Sequence, residues 1–395
     1  MSAAAAPDQA PALLVEAIAR EIRQAGGWLP FDRFMQWALY APGLGYYARD
    51  ARQFGALARD GSDFVTAPEL SPLFGRALAV QVAQALRQSG SSQVWEFGAG
   101  SGALAEHLLE ELARLGQPVR SYTIVDVSGA LRARQQTRLA AHAGVVRWAD
   151  ALPAALAGVL IGNEVLDAMP VKLLARLGGV WHERGVALSE DFSASSLAGS
   201  WQGATEKEAQ PGPRLFLWAD RPTPLRPPWD MPGGHDCVTE IHPQQRAFIA
   251  TLAERLRAGP GGAAFFIDYG FPQAEYYHPQ RHMGTLACHR AHQVDDDPLA
   301  DVGAKDITAH VDFTGIALAA QDAGLTVLGY TSQARFLLNC GIAERMQAAS
   351  LPARATAMKL LAEHEMGELF KVIGLATGVG WPACGFAQGD RSHTL

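Results

Sequence analysis

The residues best placed to do chemistry lie in one run, Glu96-Phe97-Gly98-Ala99-Gly100-Ser101-Gly102, between a short apolar segment at 93–97 and the amphipathic stretch ALAEHLLEELARL at 103–115. Glycines at such a strand-to-helix turn let the backbone approach a ligand closely, and the helix amino terminus offers unpaired N–H groups. Two cofactor classes use this arrangement. A nicotinamide dinucleotide asks for GxGxxG or GxGxxA, which Gly98, Gly100 and Ala103 satisfy. S-adenosylmethionine asks for GxGxG, here Gly98, Gly100 and Gly102, with an acid two places before it, here Glu96. That cofactor carries an ammonium and a sulfonium, which a carboxylate attracts; a pyrophosphate would be repelled. The acid favours adenosylmethionine, while the dinucleotide, and a glycine turn with no ligand, stay open on the motif alone.

Further polar residues fall at the ends of the segments that follow. Asp126 closes a strand-like stretch at 122–127, where a carboxylate can accept both ribose hydroxyl protons; the competing use is a helix cap together with Ser128. Asp150, after 145–148, has two readings, an acceptor for the adenine amino group and a surface acid or cap. Asn163 and Glu164 follow the apolar Val159-Leu160-Ile161-Gly162, and Asp167 comes three places later, before Ala168-Met169-Pro170. In an open parallel sheet, ligands bind at the carboxyl ends of the strands, so Gly98, Asp126, Asp150 and Asn163 are expected on one rim. Glu164 and Asp167 would then project near the methyl donor. Such a pair suits a cationic substrate, through bidentate hydrogen bonds to a guanidinium. The alternative is that they cap the next turn.

The elements that must position these residues read as alternating strands and helices. Helices are expected at 11–25, 32–40, 71–89, 103–115 and 129–142, and strands at 93–97, 122–127, 145–148 and 159–162. Strand–helix alternation implies parallel β-α-β units with both sheet faces covered. The pattern breaks after Pro170, where 171–177 and 180–188 form a hairpin around Gly178-Gly179. Residues 189–213 are rich in Ser, Gly and Gln, 221–235 are rich in Pro, and 171–235 reads as an insertion. Alternation resumes with a helix at 243–258 and strands at 263–269, 325–331 and 370–377, with a long polar loop over 270–310.

Composition narrows the class. The 395 residues are 48% apolar and 18% charged, which is globular. A net charge of −7 argues against nucleic-acid binding through a basic surface. Four cysteines, with no CxxC pair, argue against a disulfide scaffold and fit a reducing compartment. No run approaches the ~18 apolar residues of a membrane span.

With these residues in hand, the chain resembles the MidA family of class I adenosylmethionine-dependent methyltransferases, from about 27 to 388. The resemblance is carried by Tyr46-Tyr47, DFVTAPELS at 63–71, EFGAGSG at 96–102, GNEVLDAMPV at 162–171 and Ile267-Asp268-Tyr269-Gly270. It is carried also by EYYHPQRHMGTLACHRAH at 275–292 and DITAHVDF at 306–313, which generic methyltransferases lack. It implies an α/β fold: a Rossmann-like class I methyltransferase sheet, an N-terminal helical cap and a β-rich insertion, with the strand at 370–377 inserted antiparallel. The implied activity is methyl transfer from S-adenosyl-L-methionine to a protein nitrogen, most often arginine. Mitochondrial members are complex I assembly factors that methylate an arginine of a core subunit. Glu164 and Asp167 are the expected catalytic pair. Glu96, Gly98, Gly100, Gly102, Asp126, Asp150 and Asn163 are the expected cofactor contacts. Tyr47, Thr66, Glu69, Asp268, Tyr269 and His310 are the expected substrate contacts. The family often has Glu at the end of the second strand; Asp126 is shorter but still bridges two hydroxyls.

The expected domains are a cap and aromatic loop at 1–70, a cofactor-binding catalytic domain at 71–170 and 236–395, the insertion at 171–235, and a lid at 270–310. His278, His282, Cys288, His289, His292 and His310, with Asp295-Asp296-Asp297, match no closed four-ligand pattern, so the loop reads as a polar lid with no metal. The amino terminus has neither signal-peptide nor transit-peptide character, which points to a bacterial cytoplasmic protein. The expected partner is a protein substrate carrying an arginine, not nucleic acid and not a membrane, with a homodimer left open. Two rival readings are a chaperone that binds adenosylmethionine without turnover and an NAD-dependent oxidoreductase.

Overall fold

The computed structural model describes residues 10–49, 65–126, 128–190, 214–231 and 233–395. The chain divides into two compact units, one of residues 1–51, 169–243 and 277–309, the other of 52–168, 244–276 and 310–395. No helix among the described residues is long and apolar enough to cross a membrane.

The second unit is built on one sheet. Its strands are β1 (Gln93–Phe97), β2 (Ser121–Val125), β3 (Val146–Ala149), β4 (Ala157–Asn163), β5 (Gly261–Phe271), β6 (Leu325–Ser332) and β7 (Phe370–Thr377), in the spatial order β6-β7-β5-β4-β1-β2-β3. Strands β1 to β5 run parallel. The last strand, β7, lies antiparallel between β5 and β6, as the family resemblance implies. The short strand Val311–Asp312 extends the sheet beside the carboxyl end of β5.

Parallel strands covered on both faces lose polar alternation. Accordingly β4 is buried from Gly158 to Asn163. Val94, Ile124, Val159, Ile161, Phe265, Ile267 and Val372 form one core with Leu78, Val82 and Leu86 of helix Pro72–Ser89 and with Leu104, Leu108 and Leu112 of helix Ala103–Arg114. Helix Pro72–Ser89 starts and stops as its sequence dictates. The Ser71 hydroxyl accepts from the Leu73 N–H, Pro72 opens the first turn, and Gly90 ends it at φ 60°.

In the first unit, Val180–Leu188 pairs antiparallel with Lys172–Leu177, Phe216–Pro222 and Leu29–Pro30, and Lys172–Leu177 pairs with Cys237–Ile241. The hairpin turns at Gly178-Gly179, with φ 53° and 82°. Helix Phe31–Tyr40 lays Phe31 and Phe34 against Trp218 and Phe216, ring centroids 5.4 and 5.5 Å apart.

The domain boundaries differ from the sequence expectation in three places. The 1–70 cap is divided: the described helices Ala10–Gln24 and Phe31–Tyr40 cluster with the hairpin sheet, whereas Ala67–Leu70 belongs to the second unit. The 171–235 insertion is one part of a larger unit, because its sheet is completed by Leu29–Pro30 and Cys237–Ile241. Residues 270–310 are not a loop. They carry a helix, Gln273–Tyr276, and a three-stranded sheet of Ala287–Arg290, Gln293–Asp295 and Asp306–Thr308. Polar composition hid these strands, whose buried positions are few: Cys288, Asp306, Ile307 and Thr308. The Glu240 carboxylate fastens the segment by accepting the N–H groups of Thr285 and Leu286 at 2.8 and 3.0 Å. The aromatic loop's residues 50–64 and the polar stretch 191–213 lie outside the described residues.

Gly262 of β5 pairs with Gly158 of β4, and a Cβ at Gly262 would stand 1.8 Å from the Gly158 carbonyl oxygen. Gly262→Ala is therefore expected to cost about 3 kcal/mol or more through overpacking. Gly144→Ala, with nothing within 4 Å of its Cβ, is expected to be neutral. Urea midpoints of the two variants check this.

Candidate active site at the carboxyl edge of the sheet

The glycine turn follows β1 with Gly98, Gly100 and Gly102 at φ 61°, 53° and 86°, a region that non-glycine residues rarely adopt. The Gly98 N–H donates to the Val125 carbonyl at 3.1 Å. Beneath the turn, Glu96 is 2% exposed, and its Oε2 accepts the Tyr122 hydroxyl at 2.7 Å. Burial pushes the Glu96 carboxyl up to about 7, against the Tyr122 hydrogen bond and with help from nearby Asp126.

Gln135 organises the same corner. Its Nε2 donates to the Gly100 carbonyl and to Asp126 Oδ2, both at 2.9 Å, and its Oε1 accepts from the Trp148 indole at 2.9 Å. Asp126 Oδ1 accepts the Ser128 N–H at 3.0 Å. Asp126 is thus held as a local cap. Ser101, inside the turn, donates to Glu69, and Arg138 donates to Ser101 at 2.5 Å and to Glu69 at 3.3 Å.

A second group of acids follows β4. Glu164 takes φ 53°, a left-handed backbone for a residue with a side chain, and its N–H donates to the Ile267 carbonyl at 2.9 Å. Glu164 Oε1 accepts from Asn163 Nδ2 at 3.0 Å and from the Ala67 N–H at 3.4 Å. Asp167 is 5% exposed, and its Oδ2 accepts the Tyr269 hydroxyl at 2.5 Å. Burial raises the Asp167 carboxyl to about 6. Two buried acceptors, Asn163 Oδ1 and Asp167 Oδ1, have no hydrogen-bond partner among the described residues. His310 stacks flat on Phe271 and edge-on to Tyr269, centroids 5.2 and 5.1 Å away.

The structure brings Glu96, Gly98, Gly100, Gly102, Asp126, Asn163, Glu164 and Asp167 to the carboxyl ends of adjacent parallel strands, as expected. Five other expected site residues have the following surroundings. Asp150 is a surface acid, its side chain 84% exposed and ion-paired with Arg132. Glu69 joins the glycine turn. Thr66 is the N-cap residue of helix Ala67–Leu70, with no side-chain cap bond. Asp268 is 1% exposed and turned toward backbone N–H groups. Tyr47 belongs to the first unit, where its hydroxyl donates to Asp306 at 2.8 Å. Sequence reasoning missed Tyr122, Gln135, Ser101 and Arg138. The parallel register Val94↔Tyr122 puts Tyr122 on the same sheet face as Glu96, a signal available once β1 and β2 are paired. No group of three or more His, Cys, Asp or Glu among the described residues could hold a metal ion.

A sheet of this order, with an acid-preceded glycine turn after its first strand, defines the class I adenosylmethionine-dependent methyltransferases. Residues 77–331 match the profile of the S-adenosyl-L-methionine-dependent methyltransferase family Methyltransf_28, and the chain belongs to that family. It is similar to a Burkholderia thailandensis protein solved bound to S-adenosyl-homocysteine, with 48% identity, a TM-score of 0.88 and 99% of each chain covered. A second structure from that bacterium gives 46% identity and a TM-score of 0.83, again over 99% of each chain. Among curated relatives, the Caenorhabditis elegans mitochondrial protein arginine methyltransferase NDUFAF7 homologue is 26% identical over 82% of this chain and 75% of its own. The Drosophila melanogaster homologue is 27% identical over 91% and 86%. The cofactor is therefore S-adenosyl-L-methionine, and the dinucleotide reading falls away.

The residues present fit that cofactor. A Cβ at Gly98 would stand 3.1 Å from Val165 in a left-handed backbone, and among the described residues Glu96 and Asp167 are buried without a lysine or arginine ion-pair partner. Two predictions follow from the corner itself. Between the ordinary carboxyl value of 4.5 and about 7, native Glu96 holds a proton that the unfolded chain has released. Ligand-free stability attributable to this group is full below 4.5 and lost as pH rises through about 7, a change of about 3 kcal/mol. Urea midpoints at pH 5 and pH 8 should show that difference reduced in Glu96→Gln. Asp126→Ala should weaken S-adenosyl-homocysteine by about 1.5–3 kcal/mol in calorimetry, and Asp126→Glu by less.

Proposed function

We propose that this methyltransferase acts on an arginine guanidinium presented by a protein. The observation that carries the reading is the pair of buried acceptors Asn163 Oδ1 and Asp167 Oδ1, which have no hydrogen-bond partner among the described residues, beside the Glu164 carboxylate. Buried acceptors are expected to find donors, and a guanidinium offers five N–H groups in a fixed fork together with the positive charge that two carboxylates call for. The names of the nematode and fly relatives support the same acceptor.

Glu96, Gly98, Gly100, Gly102 and Asp126 would hold the cofactor, whose bound sulfonium supplies an electrophilic methyl group. The protein's own task is to position the nucleophile and balance its charge. Glu164 and Asp167 take the guanidinium N–H groups, orient one nitrogen, and offset positive charge in a water-poor site. Tyr269 fixes Asp167 by its 2.5 Å hydrogen bond. His310 and Phe271, stacked on one another beside Tyr269, form the aromatic side of the acceptor site. We place the protein in the cytoplasm, since all four cysteines are free thiols and three are buried.

Labelled cofactor and purified protein added to a lysate of cells lacking the protein should label a discrete protein on arginine, read by mass spectrometry. Label on another residue type overturns the arginine assignment. Cofactor binding with no transfer to any protein supports a non-catalytic chaperone. In the same assay Glu164→Gln should keep cofactor affinity and lose transfer by about 10- to 100-fold, the worth of one charge-assisted contact. Full activity in both Glu164→Gln and Asp167→Asn would remove the pair from the mechanism.

A further inference from the structure

The turn that carries the acid pair is itself held by a third acid. Asp268, near the carboxyl end of β5, aims Oδ2 at three successive amides, accepting from Val165, Leu166 and Asp167 at 3.1, 2.9 and 3.3 Å. Its Oδ1 accepts the Tyr269 N–H at 3.0 Å. Successive backbone N–H groups converging on one oxygen form an anion nest, here filled from within the protein.

The neighbours of Asp268 grip the same turn. The Ile267 carbonyl accepts the Glu164 N–H at 2.9 Å, and the Tyr269 hydroxyl reaches Asp167 Oδ2 at 2.5 Å. Three consecutive residues of β5 thus set the Glu164 backbone, the amides that follow it, and one oxygen of Asp167. Glu164 at φ 53° is strained, and such strain persists only where surrounding bonds over-determine it.

The choice of an acid here is expensive for the fold. Asp268 is 1% exposed and ion-paired with no lysine or arginine among the described residues. The charges that act on it are Asp167 and Glu164, both of its own sign, and with burial they hold its carboxyl well above the usual range. A helix or turn can be capped by serine or asparagine without that cost. An acid in this place makes sense where the three-amide nest must be filled tightly and the site is to hold a cation.

We infer that Asp268 is the positioning residue of the acid pair: through its three amide bonds it fixes the turn so that Glu164 and Asp167 are presented together to the acceptor cation. The inference rests on the proposed guanidinium site and gives Asp268, a residue sealed from solvent, a role other than substrate contact.

The test uses Asp268→Asn in the full chain, which keeps the side-chain size and removes the carboxylate. Three readouts are compared with wild type: S-adenosyl-homocysteine affinity by calorimetry, kcat and KM for the labelled acceptor, and amide hydrogen exchange at 165–167. The expected result is cofactor affinity within about threefold, kcat lower by about tenfold or more with a smaller change in KM, and faster exchange at the three amides. Unchanged kcat overturns the inference. So does loss of cofactor binding together with turnover, which would make Asp268 a prop of the whole edge. If the wild type methylates a residue other than arginine, the guanidinium reading fails, and the same kcat comparison on that acceptor still decides Asp268. If the wild type turns over nothing, exchange decides: retained protection in Asp268→Asn overturns the positioning role, and lost protection with intact cofactor binding upholds it.

Discussion

Glu96, Asp167 and Asp268 are buried at the carboxyl edge of one parallel sheet, and among the described residues none is ion-paired with a lysine or arginine. Desolvation makes such charges costly, and each carboxyl is raised: Glu96 to about 7, Asp167 to about 6, Asp268 well above its ordinary range. The protein tolerates this because hydrogen bonds take up part of the cost. Tyr122 serves Glu96, Tyr269 serves Asp167, and backbone amides serve Asp268. The remainder is an edge that waits for positive charge. A sulfonium-bearing cofactor and a guanidinium acceptor are both cations, and each would find at this edge carboxylates that have no lysine or arginine ion-pair partner among the described residues.

Much of the second unit was legible because its signals are local. The glycine turn, the Ser71-Pro72 helix start and the apolar β4 each follow from a few adjacent residues. The antiparallel placement of β7 came from family resemblance and is borne out. The first unit was harder. Its sheet joins Leu29–Pro30 to strands some 150 residues later, and no local pattern announces that pairing. The strands at 287–290, 293–295 and 306–308 are only three or four residues long, too short for a period-two pattern to emerge from a polar segment.

The site divides along the same line. Residues whose position follows from their place after a strand, such as Glu96, Asp126, Asn163 and Glu164, lie at the sheet edge where the sequence pattern puts them. What a residue touches is not legible in the same way. Asp150 looked like its neighbours on the rim, but its side chain turns outward to Arg132. Asp268 looked like a substrate ligand and instead binds amides from residues about 100 positions earlier in the chain. Gln135 sits in a polar helix, GALRARQQTR, where nothing sets it apart from Gln136, yet it is wholly buried and bonds Gly100, Asp126 and Trp148 at once.

In the proposed function, the acid turn after β4 receives the methyl acceptor as a cation. A crystal structure with S-adenosyl-homocysteine and an arginine-containing peptide from the labelled protein tests it most directly. Guanidinium nitrogens are expected within about 3 Å of the Glu164 and Asp167 carboxylates, with a donor on Asp167 Oδ1, which has none among the described residues. A peptide bound elsewhere, with water on Asp167 Oδ1 and Glu164 facing no cation, would contradict it.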